Sequence, residues 1–293
     1  MISINSFLNK VLDDFKIYVD STEKLCALKA THYDGGRIPD YSDIHIQQYY
    51  LLRYAYAYAF EYKTMYKDLF SRVALGNSIE VTSIGCGNLI DYWALSRVVG
   101  SNTHICYKGV DIVDWAYKFP KRNCDDVDYT IENVLELFQK TSCFSSDVFI
   151  FPKSISEFSS EEISTLASCF TADKIGKDAV HFMFSLRTDS GSIQRDGAKT
   201  SALYDRMIQC GFHTEDQNGR YYHFNESIRG KKIREIDDDF CHPGAVVDCL
   251  KDLYAECSDF YSCTEKDDCS NRLGRWPILN CNQAAWQIFS FER

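Results

Sequence analysis

The residues best placed to do chemistry begin at Val81-Thr82-Ser83-Ile84-Gly85-Cys86-Gly87-Asn88-Leu89-Ile90-Asp91. An apolar strand pattern runs into a G-x-G turn, and a helical pattern follows. Glycines suit such a turn because a Cβ would block a ligand's approach to the backbone. The helix start beyond it offers amide N–H groups to a polar ligand. Two ligand classes compete for this arrangement. A dinucleotide site reads G-x-G-x-x-G/A, and its third small residue lets the helix lie close under a pyrophosphate. Here the third position is the bulky Ile90, followed by Asp91, which argues against a nucleotide-dependent oxidoreductase. A second feature is Tyr107-Lys108-Gly109-Val110-Asp111-Ile112, a short strand ending in an acid 24 residues after Gly87. A carboxylate at the end of the second strand can accept from both ribose hydroxyls. Asp111 therefore points to a nucleoside without naming the rest of the ligand.

The pattern G-x-G-x-x-x-D over Gly85–Asp91 resembles the first motif of the class I S-adenosylmethionine (SAM)-dependent methyltransferases, and Asp111 resembles their second. The resemblance covers about residues 79 to 225. It implies a Rossmann-like fold, SAM as cofactor, and methyl transfer to an acceptor that it leaves open. It places Gly85, Cys86, Gly87 and Asp91 in the cofactor site, with Asp111 and Ile112 beside them. In Tyr129-Thr130-Ile131-Glu132-Asn133-Val134 it implies a polar side chain against the adenine amino group. Asn133 fits, with the Val134 backbone on a ring nitrogen; Glu132 is the alternative. In Asp147–Glu157 the fourth strand ends at Phe151, Pro152 follows it into the cofactor site, and the family faces this end toward the transferable methyl. Ser154, Ser156 and Glu157 become the catalytic candidates, able to orient an acceptor or take its proton. Helix capping is the competing role for the two serines. The N/D-P-P-Y tetrapeptide is absent here, which disfavours adenine and glutamine amino groups as acceptors. A looser resemblance lies ahead of the motif. Tyr50-Leu51-Leu52-Arg53-Tyr54, then Tyr58 and Glu61-Tyr62, are similar to uncharacterised methyltransferase-like proteins and to fungal enzymes that methylate uridine of large-subunit ribosomal RNA. It implies Arg53 as a ligand for the SAM carboxylate, by two-pronged pairing, and RNA as one possible acceptor.

Around these motifs, strands are expected at 79–84, 107–112, 127–131, 147–151 and 179–186, with helices at 91–99, 161–170 and 201–210. The last of these helices should stop at Gly211. Late strands are expected at 221–224 and 285–291. Alternation of this kind predicts an α/β fold: a Rossmann-like, doubly wound, mostly parallel seven-stranded sheet with an antiparallel edge hairpin. Residues 1–72 read as a helical N-terminal extension and 73–293 as the core domain. The extension opens on an amphipathic helix, breaks at Asp34–Asp40, and restarts at a cap on Ser42 or Asp43. In the helix that follows, Tyr50, Tyr54, Tyr58, Tyr62, Tyr66 and Phe70 recur every fourth residue. Each step turns about 400°, so the row drifts about 40° per step and sweeps about half the circumference. One narrow face cannot hold it, so the helix must pack on several sides or border a pocket.

Between the late strands lies an insert of about residues 226–282, read as a lid or small subdomain. It carries Cys241, Cys249, Cys257, Cys263, Cys269 and Cys281, with His242 beside the first. The closest spacings are C-x₅-C, twice. Zinc knuckles favour C-x₂₋₄-C, so these are read as buried thiols, with a zinc site or disulfides as the alternatives, and no metal is assigned. His181 reads as a core or edge residue and His223 as a candidate acceptor-site base. The net charge of -10 repels phosphate backbones; Lys231, Lys232, Arg234, Arg272 and Arg275 read as solvated surface charges. No apolar stretch of about 18 residues marks a membrane span. Thirteen cysteines without an export signal fit reduced thiols in a cytoplasm. The expected function is a cytoplasmic SAM-dependent methyltransferase acting on a small molecule or RNA. The second class is a SAM-binding or sensing protein without chemistry.

Overall fold

The computed structural model describes residues 3–21, 24–31, 39–74, 76–187, 190–223, 227–228, 231–232, 244–251, 253–257, 261–273 and 284–293. They form two compact units, and the division falls inside one helix, between Tyr58 and Ala59.

The larger unit comprises 59–112, 121–235 and 281–293. Its sheet is built from β1 (Ser78–Ile84), β2 (His104–Asp111), β3 (Asp126–Ile131), β4 (Val148–Phe151), β5 (Ala179–Leu186), β6 (Tyr222–His223) and β7 (Ala285–Glu292). The order is β3-β2-β1-β4-β5-β7-β6. The first five are parallel, and β7 runs antiparallel to both β5 and β6. Six strands have four or more residues; β6 is a two-residue edge piece. Parallel neighbours need crossovers: α3 (Ile90–Val98) joins β1 to β2, residues 112–125 join β2 to β3 without a helix, α4 (Val134–Lys140) leads from β3 to β4 and α5 (Ser160–Cys169) from β4 to β5, while α6 (Ser190–Gln209) follows β5. Strand order reverses between β1 and β4, and such a switch point opens a crevice at the carboxyl ends of the strands.

One face of the sheet carries a phenylalanine-rich core. Phe149, Phe182 and Phe184 of the strands meet Phe138 of α4 and Phe170 beyond α5. Phe149 and Phe170 cross edge to face at 5.1 Å, a geometry that adds about 0.5–1.5 kcal/mol beyond burial. On β7, Trp286 alternates away from Ala285 and donates its indole N–H to Asp68 at 3.2 Å. Arg72 grips the same carboxylate through two nitrogens at 3.0 and 2.8 Å. The C-terminal half of α2 (Ile44–Arg72) is thereby tied to the sheet.

The smaller unit comprises 1–58, 113–120 and 236–280. Its α1 (Ile4–Ser21) buries Ile4, Phe7, Leu8, Val11, Leu12, Phe15 and Tyr18, an apolar stripe of helical period. The start of α2 is capped by Asp43, which accepts from the His45 N–H at 2.8 Å. Gln47 holds the 113–120 segment through Asp114 and Ala116, while Phe119 stacks on Phe7 at 3.9 Å. The rest is a 3₁₀ helix at Lys24–Thr31, α7 (Gly244–Lys251), a 3₁₀ turn at Leu253–Glu256 and α8 (Lys266–Leu273). The tyrosine row divides as its drift requires. Tyr54 and Tyr58 stack half-buried with Tyr50 tilted against them, and Tyr62 and Tyr66 are buried within the larger unit. Among the described residues no helix is long and apolar enough to cross a membrane. Cys241, His242, Arg234, Arg275 and Cys281 lie outside the described residues, as do the side chains of His223, Lys231 and Lys232.

Candidate functional site at the strand ends

The turn after β1 is held in left-handed backbone at three places: Gly85 (φ 69°), Gly87 (φ 53°) and Leu89 (φ 68°). A Cβ on Gly85 would lie 2.5 Å from the Ser154 Cβ, so glycine is required by both conformation and space. The Gly85 and Cys86 N–H groups both donate to the Val110 carbonyl, at 2.8 and 3.2 Å. Cys86 is buried, and its sulfur rests where a Cβ on Gly109 would stand, 2.7 Å away. Gly85 and Gly87 on either side of it are partly exposed.

Asp111 closes this turn. Its carboxylate accepts from the Gly87 N–H at 2.8 Å, joining the ends of β1 and β2. The next residue, Ile112, is 73% exposed, and Ile131, paired with Asp111 across β2 and β3, is 52% exposed. A carboxylate between two exposed apolar side chains can take a hydroxylated ring through the acid and a flat apolar face through the isoleucines. Asn133 is exposed at the same end of the sheet, and its side-chain oxygen caps α4 through the Leu135 N–H at 2.9 Å. Its amide nitrogen is not used by that cap. Val134 opens the helix and is buried, while Glu132 pairs with Lys140 at 2.9 Å.

Asp91 stands apart from the open turn. It is buried in the first turn of α3, and the Tyr107 hydroxyl lies 2.9 Å from both of its oxygens. Burial pushes its carboxyl up to about 6, against the opposing pull of Ser83, Tyr107 and the Asp91 and Tyr92 amides. Tyr66 and Tyr107 are in turn pushed well above the usual phenol range, first by burial and then by the Asp91 charge. Asp91 thus supports the turn from beneath. Ile90 beside it is buried too.

At the end of β4 the three catalytic candidates separate. Ser154 is buried and its hydroxyl donates to the Ile84 carbonyl, which pins β4 to the glycine turn. Ser156 donates to Asp196 at 2.5 Å, and Glu157 is exposed. Pro152 precedes Lys153, which adopts φ 62°, an uncommon conformation for a side-chain-bearing residue. Lys153 reaches the Leu186 carbonyl and forms an ion pair with Glu61 at 2.9 Å. Glu61 also accepts from Ser185 at 2.5 Å. Burial raises the Glu61 carboxyl, and Lys153 and Ser185 oppose that shift. This cluster was not legible in sequence: its members come from α2, the β4 end and β5, and although Glu61 and Lys153 fall within segments already quoted, nothing local pairs them. His181 is buried on β5 with its ring pushed toward the neutral form by burial.

Arg53 belongs to the smaller unit. Its guanidinium donates to the Tyr49 hydroxyl at 3.1 Å and the Arg272 carbonyl at 3.3 Å, and lies over the Tyr49 and Tyr54 rings. In this structure it serves that unit's core.

No family model matches the sequence, and no curated protein does. Several solved structures are similar to the chain. The chain is similar to a SAM-dependent methyltransferase from Archaeoglobus fulgidus, at 14% identity over 79% of this chain and 94% of that one, with a TM-score of 0.41. It is also similar to a cyclopropane-fatty-acyl-phospholipid synthase-like protein from Lactobacillus casei, at 12% identity over 80% and 92%, with a TM-score of 0.42. A third similar structure is the geranyl diphosphate C-methyltransferase of Streptomyces coelicolor A3(2), at 10% identity over 78% of each chain, with a TM-score of 0.40.

Proposed function

We propose that this chain binds SAM at the carboxyl ends of β1, β2 and β3 and transfers its methyl group to a small-molecule acceptor. The observation that carries the reading is Asp111, fixed on the Gly87 N–H and flanked by the exposed Ile112 and Ile131. Asp111 is assigned to the ribose hydroxyls, Ile112 to the adenine face, and Asn133 with the Val134 backbone to the adenine edge. The backbone of Gly85, Cys86 and Gly87 forms the floor for the amino-acid tail. The buried bulk of Ile90 leaves the helix start too crowded for a pyrophosphate, which favours SAM over a dinucleotide. SAM supplies a methyl on a sulfonium, already a good leaving system. The protein's part is to align and to exclude water. Where the acceptor keeps its proton, Glu157, exposed at the β4 end, and Ser156, held by Asp196, are the groups placed to take or steer it. The net charge of -10 disfavours a polyanionic acceptor.

Calorimetric titration with SAM, S-adenosylhomocysteine and NAD tests the site. Both adenosyl ligands should bind and NAD should not. Asp111→Ala should weaken SAM by about 100-fold, the size of two hydrogen bonds to a charged group. Ile112→Ala should cost about fivefold, or about 1 kcal/mol of lost apolar contact. Folded protein that binds neither adenosyl ligand would remove the reading. Binding without turnover across an acceptor screen would leave a SAM-binding protein.

A further inference from the structure

Three side chains that can ligate a metal ion meet at the end of the sheet opposite the strand-end site, where β2 and β3 begin. His104 and Cys106 stand two residues apart on β2, so both project from the same face. Asp126 opens β3 and lies directly beside Cys106 in the parallel register. A ring nitrogen of His104, the Cys106 sulfur and an Asp126 oxygen all lie within 4.8 Å of one another. Among the described residues no other group of three such side chains is so arranged. All three belong to the larger unit, and none takes part in the site proposed for SAM.

The His104 ring is oriented as a ligand. Its Nδ1 faces the Cys124 carbonyl, which can only accept, so that nitrogen carries the hydrogen. The neutral ring then turns the lone pair of Nε2 toward Asp126, 3.0 Å from a carboxylate oxygen. An Nδ1–H held by a backbone carbonyl is the outer contact that commonly fixes the tautomer of a metal-binding histidine. Two lone pairs facing each other need a cation between them or a proton on Nε2. The observed 3.0 Å is close to the span of about 3.3 Å between two ligands of a tetrahedral ion at about 2.0 Å each. As a bare ion pair, with side chains 39% and 83% exposed, the contact would contribute at most about 1 kcal/mol. An ion pair also leaves the adjacent thiol without a role.

The frame is firm where the ligands attach. Asp125 is buried, and Arg122 grips its carboxylate through two nitrogens at 2.7 Å each. The Tyr92 hydroxyl donates to the same carboxylate at 2.7 Å and the Ile105 N–H at 3.3 Å. Arg122 also donates to the Thr103 carbonyl at 2.8 Å. These bonds tie the turn before β3 to the start of β2, which sets the Cys124 carbonyl and the Asp126 carboxylate against His104. Ligands carried by strands are held more precisely than ligands on loops. The Ser78 hydroxyl of β1 lies 3.9 Å from the Cys106 sulfur, as an outer contact. One nitrogen, one sulfur and one oxygen suit a borderline ion of the zinc class; magnesium and calcium take oxygen ligands. Three protein ligands leave the fourth position of such an ion to water. As β3 is an edge strand joined to β2 without a helix, an ion here would fasten its first residue.

We infer that His104, Cys106 and Asp126 form a three-ligand site for a single divalent cation of the zinc class, which fastens the start of the edge strand β3 to β2. The inference is independent of SAM binding. It is tested on the full chain by calorimetric titration with zinc, where about one ion per chain should bind. His104→Ala and Cys106→Ser should each weaken zinc by about 100-fold, and Asp126→Asn by about tenfold. Cys143→Ser, an exposed thiol elsewhere, should change nothing. Co(II) should give a thiolate-to-metal charge-transfer band that is absent from Cys106→Ser. On the unaltered chain, saturating zinc should slow alkylation of Cys106 by about tenfold or more, read by peptide mass; this measurement needs no variant to fold. Folded protein that takes up no zinc overturns the site and leaves His104 and Asp126 as a surface ion pair. So does zinc that binds His104→Ala equally well, which would place the ion among other cysteines of the chain. Zinc that leaves the alkylation of Cys106 unchanged overturns it too.

Discussion

Two buried carboxylates of the larger unit are stabilised in opposite ways. At the ends of β4 and β5, Glu61 is met by a full cation, Lys153, and by the Ser185 hydroxyl. At the start of α3, Asp91 is met by the Tyr107 hydroxyl and helix amides. The first arrangement fixes a lysine in left-handed backbone beside the strand end. The second leaves an acid that titrates at about 6 under the glycine turn. Polar groups around β4 and β5 are turned onto one another, whereas the ends of β2 and β3 present Asp111, Ile112, Ile131 and Asn133 outward. One half of the strand-end surface is braced, and the other is built to be covered.

Breaking the brace should give the largest effect. Lys153→Met leaves Glu61 without its cation, and removal of one partner from a buried pair costs about 4 kcal/mol. Urea unfolding should show that loss, and adding Glu61→Gln to the same chain should restore most of it. Recovery would separate the cost of an orphaned charge from the net worth of the pair. No loss on Lys153→Met would mean that the pair braces nothing.

The seam between the halves comes next. Gly85→Ala should cost about 3 kcal/mol, combining left-handed strain with a collision against Ser154. Gly100→Ala, with nothing within 4 Å of its would-be Cβ, should stay within about 0.5 kcal/mol. Equal effects at the two glycines would contradict the close approach of Ser154.

The effect at Asp91 is of similar size and is read through pH. Its folded titration near 6 lies above the ordinary 3.8. Between those values the folded state holds a proton that the unfolded chain has released. This contribution to stability is full below about pH 4 and is lost as pH rises through 6, by about 3 kcal/mol. Asp91→Asn should flatten that part of the stability profile. A profile unchanged by the substitution would show that Asp91 is not held as a buried, cation-free acid.

Much of the sheet was legible because strand burial leaves a local mark. The bounds of β5 follow from the run Ala179–Leu186, and the turn follows from glycines that no other residue could replace without strain. Helix α6 starts at Ser190, eleven residues before the expected Ser201. Gly191, Ser192, Asp196 and Gly197 have weak helix propensity, and packing overrides it. Short α4, α7 and α8 carry too few turns for a clear period. Within the site, the acid of β2 announced itself by position. The Glu61–Lys153 pair did not, because its members lie 92 residues apart and a left-handed lysine has no sequence signature. The meeting of Cys26 with Cys257 of the insert around one small cavity was equally silent, since no pattern near the start of the chain refers to residue 257.

That long-range partnership bears on how the chain is made. The smaller unit joins residues 1–58 and 113–120 to 236–280, with much of the larger unit between them in the chain. A ribosome adding about 5–20 residues per second takes about 10–40 s to travel from residue 58 to residue 236. During that interval α1 and the first half of α2 exist with their apolar stripe uncovered, while the strands of the larger unit emerge one after another. The early helices must therefore wait, shielded by each other or by a chaperone, for the segment that closes them.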